Sequence, residues 1–463
     1  MNRREFIKAG SLASLGLSAY VVDFDPSNPF KARKPHYIPK AKNVIFIMAA
    51  GACSQLETFD YKPVLFKYHG KDLPPGLPAV SFQAPSGKMA EPMYKFRKKG
   101  ECGKCVSDLL PHTGDIVDDL CFIHSMTSKT NTHGPGENLM STGYVQDGFP
   151  SIGSWVSYAL GCETDSLPAY VAIPDPRGVP QASVNNWSSG FLPAVFQGTP
   201  FNANKPLRNI KSPTHFTPAQ NRDSFEFLQQ MNRKHLSKNS LNTQLSARIS
   251  SYELSLKMQK SIPEVLDFEK EKEHVLNLYG ISDRKNKLKA SFGRNCLLAR
   301  RLIEKGVRFV HLFNGSTASG GRLNWDGHKD LKKQYDIHGA IMDQPVAGLI
   351  RDLKQRGMFE DTLVVWCTEF GRMPMNQNVG AGRDHNPNGF TCWLAGAGIK
   401  APFSFGETDE FGYSALQPTS VHDLHATVLH LLGINHEKLT YYQNGIDRRL
   451  TDVHGHILRD ILI

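Results

Sequence analysis

Apolar residues along the chain gather in short runs that stop at polar or glycine-rich turns. Six runs have strand length and are rich in β-branched and aromatic side chains: 43–50 (NVIFIMAA), 120–126 (LCFIHSM), 169–174 (AYVAIP), 308–314 (RFVHLFN), 362–370 (TLVVWCTEF) and 390–396 (FTCWLAG). Between several of them the apolar spacing lengthens. In 335–357, Ile337, Ile341, Leu349, Ile350 and Leu353 recur near the helical period. Almost continuously apolar strands alternating with helices predict an α/β fold around a largely parallel sheet.

The pattern also changes along the chain. Residues 175–235 are rich in Gly, Pro, Asn and Ser and read as long loops. Residues 238–304 read as largely helical, with the charged DFEKEKEHV in the middle. We therefore expect one domain over 40–463, with a loop-rich and helical insertion at 175–304 between the early and late strands. The first 25 residues stand apart. Arg3 and Arg4, then Phe6 and Lys8, then a weakly apolar stretch match a twin-arginine export signal, which a receptor reads as an address. The expected partner is the twin-arginine export machinery, and the expected location is periplasmic or extracellular. No Ala-x-Ala cleavage site stands out, so an uncleaved signal could also serve as a membrane tether.

The formal net charge is +10, with basic clusters in KARKPHYIPKAK and KFRKKGECGK. This balance suits an anionic substrate or surface. Without a recognition motif it does not point to nucleic acid. Of eight cysteines, Cys102 and Cys105 form a lone CxxC. A zinc ribbon needs a second such pair, so free or locally bonded thiols are expected.

Ligands collect at the carboxyl ends of parallel strands, so the polar residues there are the candidates for chemistry. Gln55, Glu57 and Asp60 follow the first run, and His133 follows the second. Asp326 and His328, in NWDGH, follow the run at 308–314. Glu369 and Arg372 follow strand 362–367 in TEFGR, and Arg383, Asp384 and His385 precede the last run. Carboxylates and imidazoles from several strand ends suit a divalent metal. Zinc fits mixed Asp and His donors, with manganese or calcium the alternatives if carboxylates dominate. A Ser-His-Asp hydrolase is a poorer reading, because no Gly-x-Ser-x-Gly elbow follows a strand.

Several motifs taken together resemble the exported bacterial family called domain of unknown function 1501, of the alkaline phosphatase and sulfatase superfamily. They include QLETFDYKP, HGPGENLMSTGY, PSIGSWVSYALG, NWDGH, DTLVVWCTEFGRMP and GRDHNPNGF. The resemblance implies an alkaline phosphatase-like (sulfatase-like) sandwich with helices on both faces. Counting back from Thr142-Gly143 places His133 at the sulfatase nucleophile position and Glu137 where that motif has arginine. His133 is then a metal ligand or an acid–base group in place of the usual nucleophile. The resemblance further implies a metal held by Glu57 or Asp60, Asp326, His328, Glu369, Asp384 and His385. Arg372 and Arg383 are expected to neutralise charge on the substrate.

The expected activity is metal-dependent hydrolysis of a sulfate or phosphate ester, on a small anionic molecule or a glycan. The alternatives are a non-catalytic protein that holds sulfated or phosphorylated glycans, and an envelope structural protein on the same fold.

Overall fold

A computed structural model describes residues 30–82, 84–204, 217–238, 243–317 and 322–463. The export-signal reading falls on residues 1–25, outside the described residues. All six apolar runs form strands of a single nine-stranded sheet. In chain order the sheet strands are β1 (Asn43–Ala49), β2 (Leu120–Thr127), β3 (Tyr170–Ile173), β4 (Thr199–Pro200), β5 (Phe309–Asn314), β6 (Thr362–Cys367), β7 (Phe390–Gly396), β8 (Phe403–Phe405) and β9 (Thr419–Ser420). Their spatial order is β8-β2-β7-β6-β1-β5-β3-β4, with β9 paired to the end of β2.

Every neighbouring pair is parallel except the two made by β7, which runs against both β2 and β6. This reversal matters for the site. The start of β7, Phe390, lies opposite Met126 near the end of β2. Residues that precede β7 therefore sit at the same sheet edge as residues that follow β1, β2, β5 and β6.

The sheet is buried on both faces, which is why its strands are apolar throughout rather than alternating. Along β1, Ile45 and Ile47 point to one side, into a core with Leu297 of α5 (Lys287–Glu304) and Val346 of α6 (Leu331–Gln355). Val44, Phe46 and Met48 point to the other side. There they meet Met140 of α1 (His133–Thr142), Val156 of α2 (Ile152–Leu160) and Val428 of α7 (Val421–Leu431). The fold is thus helices on both faces of a largely parallel sheet.

The stretch at 175–304 divides. Helix α5 belongs to the helical layer of the main core. Ahead of it are two long helices, α3 (Pro218–Lys238) and α4 (Thr243–Leu266). Residues 218–235 were expected as loop; their Asn- and Gln-rich composition hides a helix that exposes Phe227, Leu228 and Met231 while burying Gln229. Among the described residues, no helix is long and apolar enough to cross a membrane.

Candidate metal centre

Four side chains converge at the common sheet edge. One ligand atom each from His133, Asp326, His328 and His385 lies within 4.8 Å of the others. His133 is the first residue of α1, after β2. Asp326 and His328 lie between β5 and α6. His385 precedes β7 in a short antiparallel pairing with Arg372. Asp326 Oδ1 is the common neighbour: His328 Nε2 is at 2.8 Å, His133 Nε2 at 3.1 Å and His385 Nε2 at 3.4 Å. His328 Nε2 and His385 Nε2 are 2.9 Å apart.

On its far side each ring meets an oxygen. His133 Nδ1 is 2.7 Å from Glu369 Oε1, His385 Nδ1 is 2.5 Å from the Asn131 carbonyl, and His328 Nδ1 is 2.5 Å from Gln377 Oε1. A carboxylate and a carbonyl oxygen can only accept, so the ring proton is assigned to Nδ1 and the neutral ring keeps a lone pair on Nε2. Three such lone pairs and a carboxylate facing one another repel unless a proton or a cation lies among them. His133 Nε2 is buried with no hydrogen-bond partner, 3.1 Å from Asp326 Oδ1. Orienting a ligand histidine through the opposite ring nitrogen is how proteins prepare imidazole for metal. Four-coordinate zinc, with bonds of about 2.0–2.1 Å, separates its donors by roughly 3.3 Å. Four of the six donor spacings, at 2.8–3.4 Å, lie close to that value, and all six are within 4.8 Å. The donor set fits a divalent ion.

The electrostatics have the same character. Burial disfavours a charged His133, but Asp326 and Glu369 outweigh it and raise its pKa to about 9. Burial and the nearby Arg372 push His385 down to about 4, against the pull of Asp326. Burial also opposes ionisation of Asp326, yet Arg372 and the three histidines hold it far below the usual carboxylate range. Glu369 is likewise held low by His133, despite burial. Without an ion, His133 carries the positive charge that the cluster needs.

The other predicted residues are placed around this centre rather than in it. Glu369 orients His133 and accepts the Gly51 N–H at 2.8 Å. Glu57 is turned away: its carboxylate takes Arg383 Nε at 2.9 Å and the Met93 N–H at 2.7 Å. Asp60 is paired with Lys62 at 3.2 Å and accepts from Thr408. Asp384 accepts from Ser81 and from the His385 N–H, and its Oδ1 is 3.9 Å from His328 on the ring's far side. The strand-end carboxylate expected from QLETFD is therefore absent from the four-atom cluster.

Neither arginine is poised to meet a substrate. Arg372 is fully buried and spends its donors on the Ala52, Gly51 and Arg383 carbonyls and on Asp326 Oδ1. Arg383 is equally buried, on Glu57 and the carbonyls of Met373, Ala90 and Glu91. The two guanidiniums brace the loops that carry Asp326 and His385. Gly51 has a related part. Its φ is +105°, and a Cβ there would lie 2.5 Å from the Trp325 nitrogen, so only glycine lets the end of β1 pass beside Asp326.

Sequence reasoning missed Gln377 and the Asn131 carbonyl, whose contacts depend on tertiary structure. Glu137, noted only as a departure from a motif, is buried under loop 181–186. It accepts the Ala182 N–H at 2.6 Å and the Gln181 N–H at 3.2 Å. Burial and the charge of Glu369 raise its pKa to about 7.

The chain belongs to the family described as "Protein of unknown function (DUF1501)", whose match spans residues 41–462. No curated protein sequence matches it. Similar solved structures include the lipoteichoic acid synthase LtaP of Listeria monocytogenes, at 10% identity and TM-score 0.37, covering 92% of this chain and 79% of that one. Others are the phosphonate monoester hydrolase SpPMH of Silicibacter pomeroyi (14%, TM-score 0.33, 70% and 68%) and the PsFucS1 sulfatase of Pseudoalteromonas sp. (12%, TM-score 0.31, 88% and 69%). A protein of the alkaline phosphatase superfamily from Vibrio parahaemolyticus is also among them. At such identities and TM-scores, the activities of these proteins remain their own.

Proposed function

We propose that this chain is an exported, metal-dependent hydrolase of a sulfate or phosphate ester. The observation that carries the reading is the convergence of three Nε2 atoms on Asp326 Oδ1, each ring tied through Nδ1 to an oxygen. His133, Asp326, His328 and His385 would hold the ion. When bound, a divalent ion supplies Lewis-acid chemistry toward an anionic ester.

The chain's own residues set the conditions for that chemistry. Glu369 fixes the His133 tautomer and ring angle. Arg372 offsets the charge of Asp326 and keeps its Oδ1 in place. The first turn of α1 presents backbone N–H groups beside His133, where an anionic group is favoured. Because His133 points its free nitrogen into the cluster, it acts as a ligand here rather than as a nucleophile. Twin arginines at positions 3 and 4 support export.

Hydrolysis of p-nitrophenyl phosphate and p-nitrophenyl sulfate by zinc- or manganese-loaded protein tests the activity. Metal-dependent turnover of either supports it. Stoichiometric metal with turnover of neither favours the non-catalytic reading, a binder of sulfated or phosphorylated glycans.

A further inference from the structure

Two adjoining loops form the outer side of the metal centre, and both present apolar side chains to solvent. In the first, Val80 bridges Pro85, and the Ser81 hydroxyl donates to Asp384, the neighbour of His385. The next residue, Phe82, lies nearly flat on the His385 ring, with centroids 5.3 Å apart and planes at 15°. The second loop carries Gln377, which holds His328. It joins the first through the Asn378 N–H to the Pro85 carbonyl at 3.1 Å. Its tip is Val379. Phe82 is 44% exposed, Val80 68%, and Val379 wholly so.

Single exposed apolar residues are ordinary. Here three sit on two hydrogen-bonded loops, and those loops also fix two ligand histidines. His385 covers one face of the Phe82 ring, while nearly half of the residue remains open to solvent. We infer that the ester bound at this centre carries an aromatic group, which packs against the solvent-open part of Phe82 on the loop that braces His385. The inference rests on the ester-site reading and names its substrate class. A ring placed there removes apolar surface from water and gains stacking beyond simple burial.

The test is equilibrium binding to the zinc-loaded full chain of two matched pairs: phenylphosphonate against methylphosphonate, and benzenesulfonate against methanesulfonate. In at least one pair the aromatic member should bind about 3- to 10-fold more tightly, the range that ring stacking supports. Phe82→Ala, with its zinc content verified, should bring that ratio to within about 2-fold. Equal binding within each pair overturns the inference, as does a ratio that Phe82→Ala leaves unchanged. A sugar phosphate that binds as tightly as phenylphosphonate also overturns it. Zinc-loaded protein that binds none of these anions contradicts the ester-site reading itself, and the inference with it.

Discussion

Glu369 Oε1 stands 2.7 Å from His133 Nδ1, joining the end of β6 to the start of α1 across the sheet edge. Both groups are buried, so the pair is not weakened by solvent as a surface ion pair would be. It sets which nitrogen of His133 faces Asp326. Removing such a support costs about 10–100-fold in metal affinity. Glu369→Gln should therefore keep the fold and lose zinc affinity by about that factor in a chelator competition titration. Unchanged affinity would show that His133 needs no such partner.

Metal-free protein should lose stability in two directions from near neutral pH. His133 has its folded pKa raised from 6.5 to about 9. Its contribution is complete below 6.5 and fades as pH rises through 9. His385 has its folded pKa lowered from 6.5 to about 4. Its neutral form is favoured by folding, so stability falls as pH drops from 6.5 toward 4. Each effect is on the order of a few kcal/mol. Urea unfolding of chelated protein across this range should show the alkaline limb in wild type and a much flatter one in His133→Gln. A limb of equal slope in the variant would assign it to other groups.

Metal binding must displace the proton that His133 holds. Zinc affinity should then rise by about tenfold per pH unit between roughly 6.5 and 9. Competition titrations at several pH values measure that slope. A flat profile would mean that the bound ion does not use His133.

Glu57 and Arg383 form a fully buried pair at 2.9 Å, apart from the cluster of His133, Asp326, His328 and His385. Glu57→Ala leaves a buried guanidinium without its carboxylate, a loss of about 3–5 kcal/mol. Thermal unfolding should register that loss, while folded protein keeps its metal. Loss of metal from folded Glu57→Ala would restore Glu57 to the ligand set.

Replacing Arg3 and Arg4 together with lysine should trap the protein in the cytoplasm, because the export receptor reads the arginine pair. Fractionation of the producing cells decides this; normal export of the double variant would contradict it.

The six main strands were legible in the sequence because burial on both faces leaves β-branched and aromatic runs, whereas β4, β8 and β9, of two or three residues each, are too short to carry one. The direction of β7 was not, since FTCWLAG is as apolar as the parallel strands beside it. That reversal brings His385 to the edge where His133, Asp326 and His328 also lie. Asp326, His328 and His385 were legible as strand-end residues of ligand type. Glu57 and Asp60 looked equivalent, but each has a cationic partner, Arg383 and Lys62, distant or unmarked in the sequence pattern. Arg372 and Arg383 looked like anion-binding groups for the same reason. A buried arginine that binds carbonyls has no distinct sequence signature. Helix α3 was hidden because its apolar residues do not face the core.

The most direct test is the metal content of protein purified without chelator and then loaded with zinc, measured beside His328→Ala and His385→Ala. Wild type should hold one ion per chain, and each folded variant should retain far less after the same dialysis. A wild type that holds none after loading, or variants that hold as much as wild type, would contradict the metal centre.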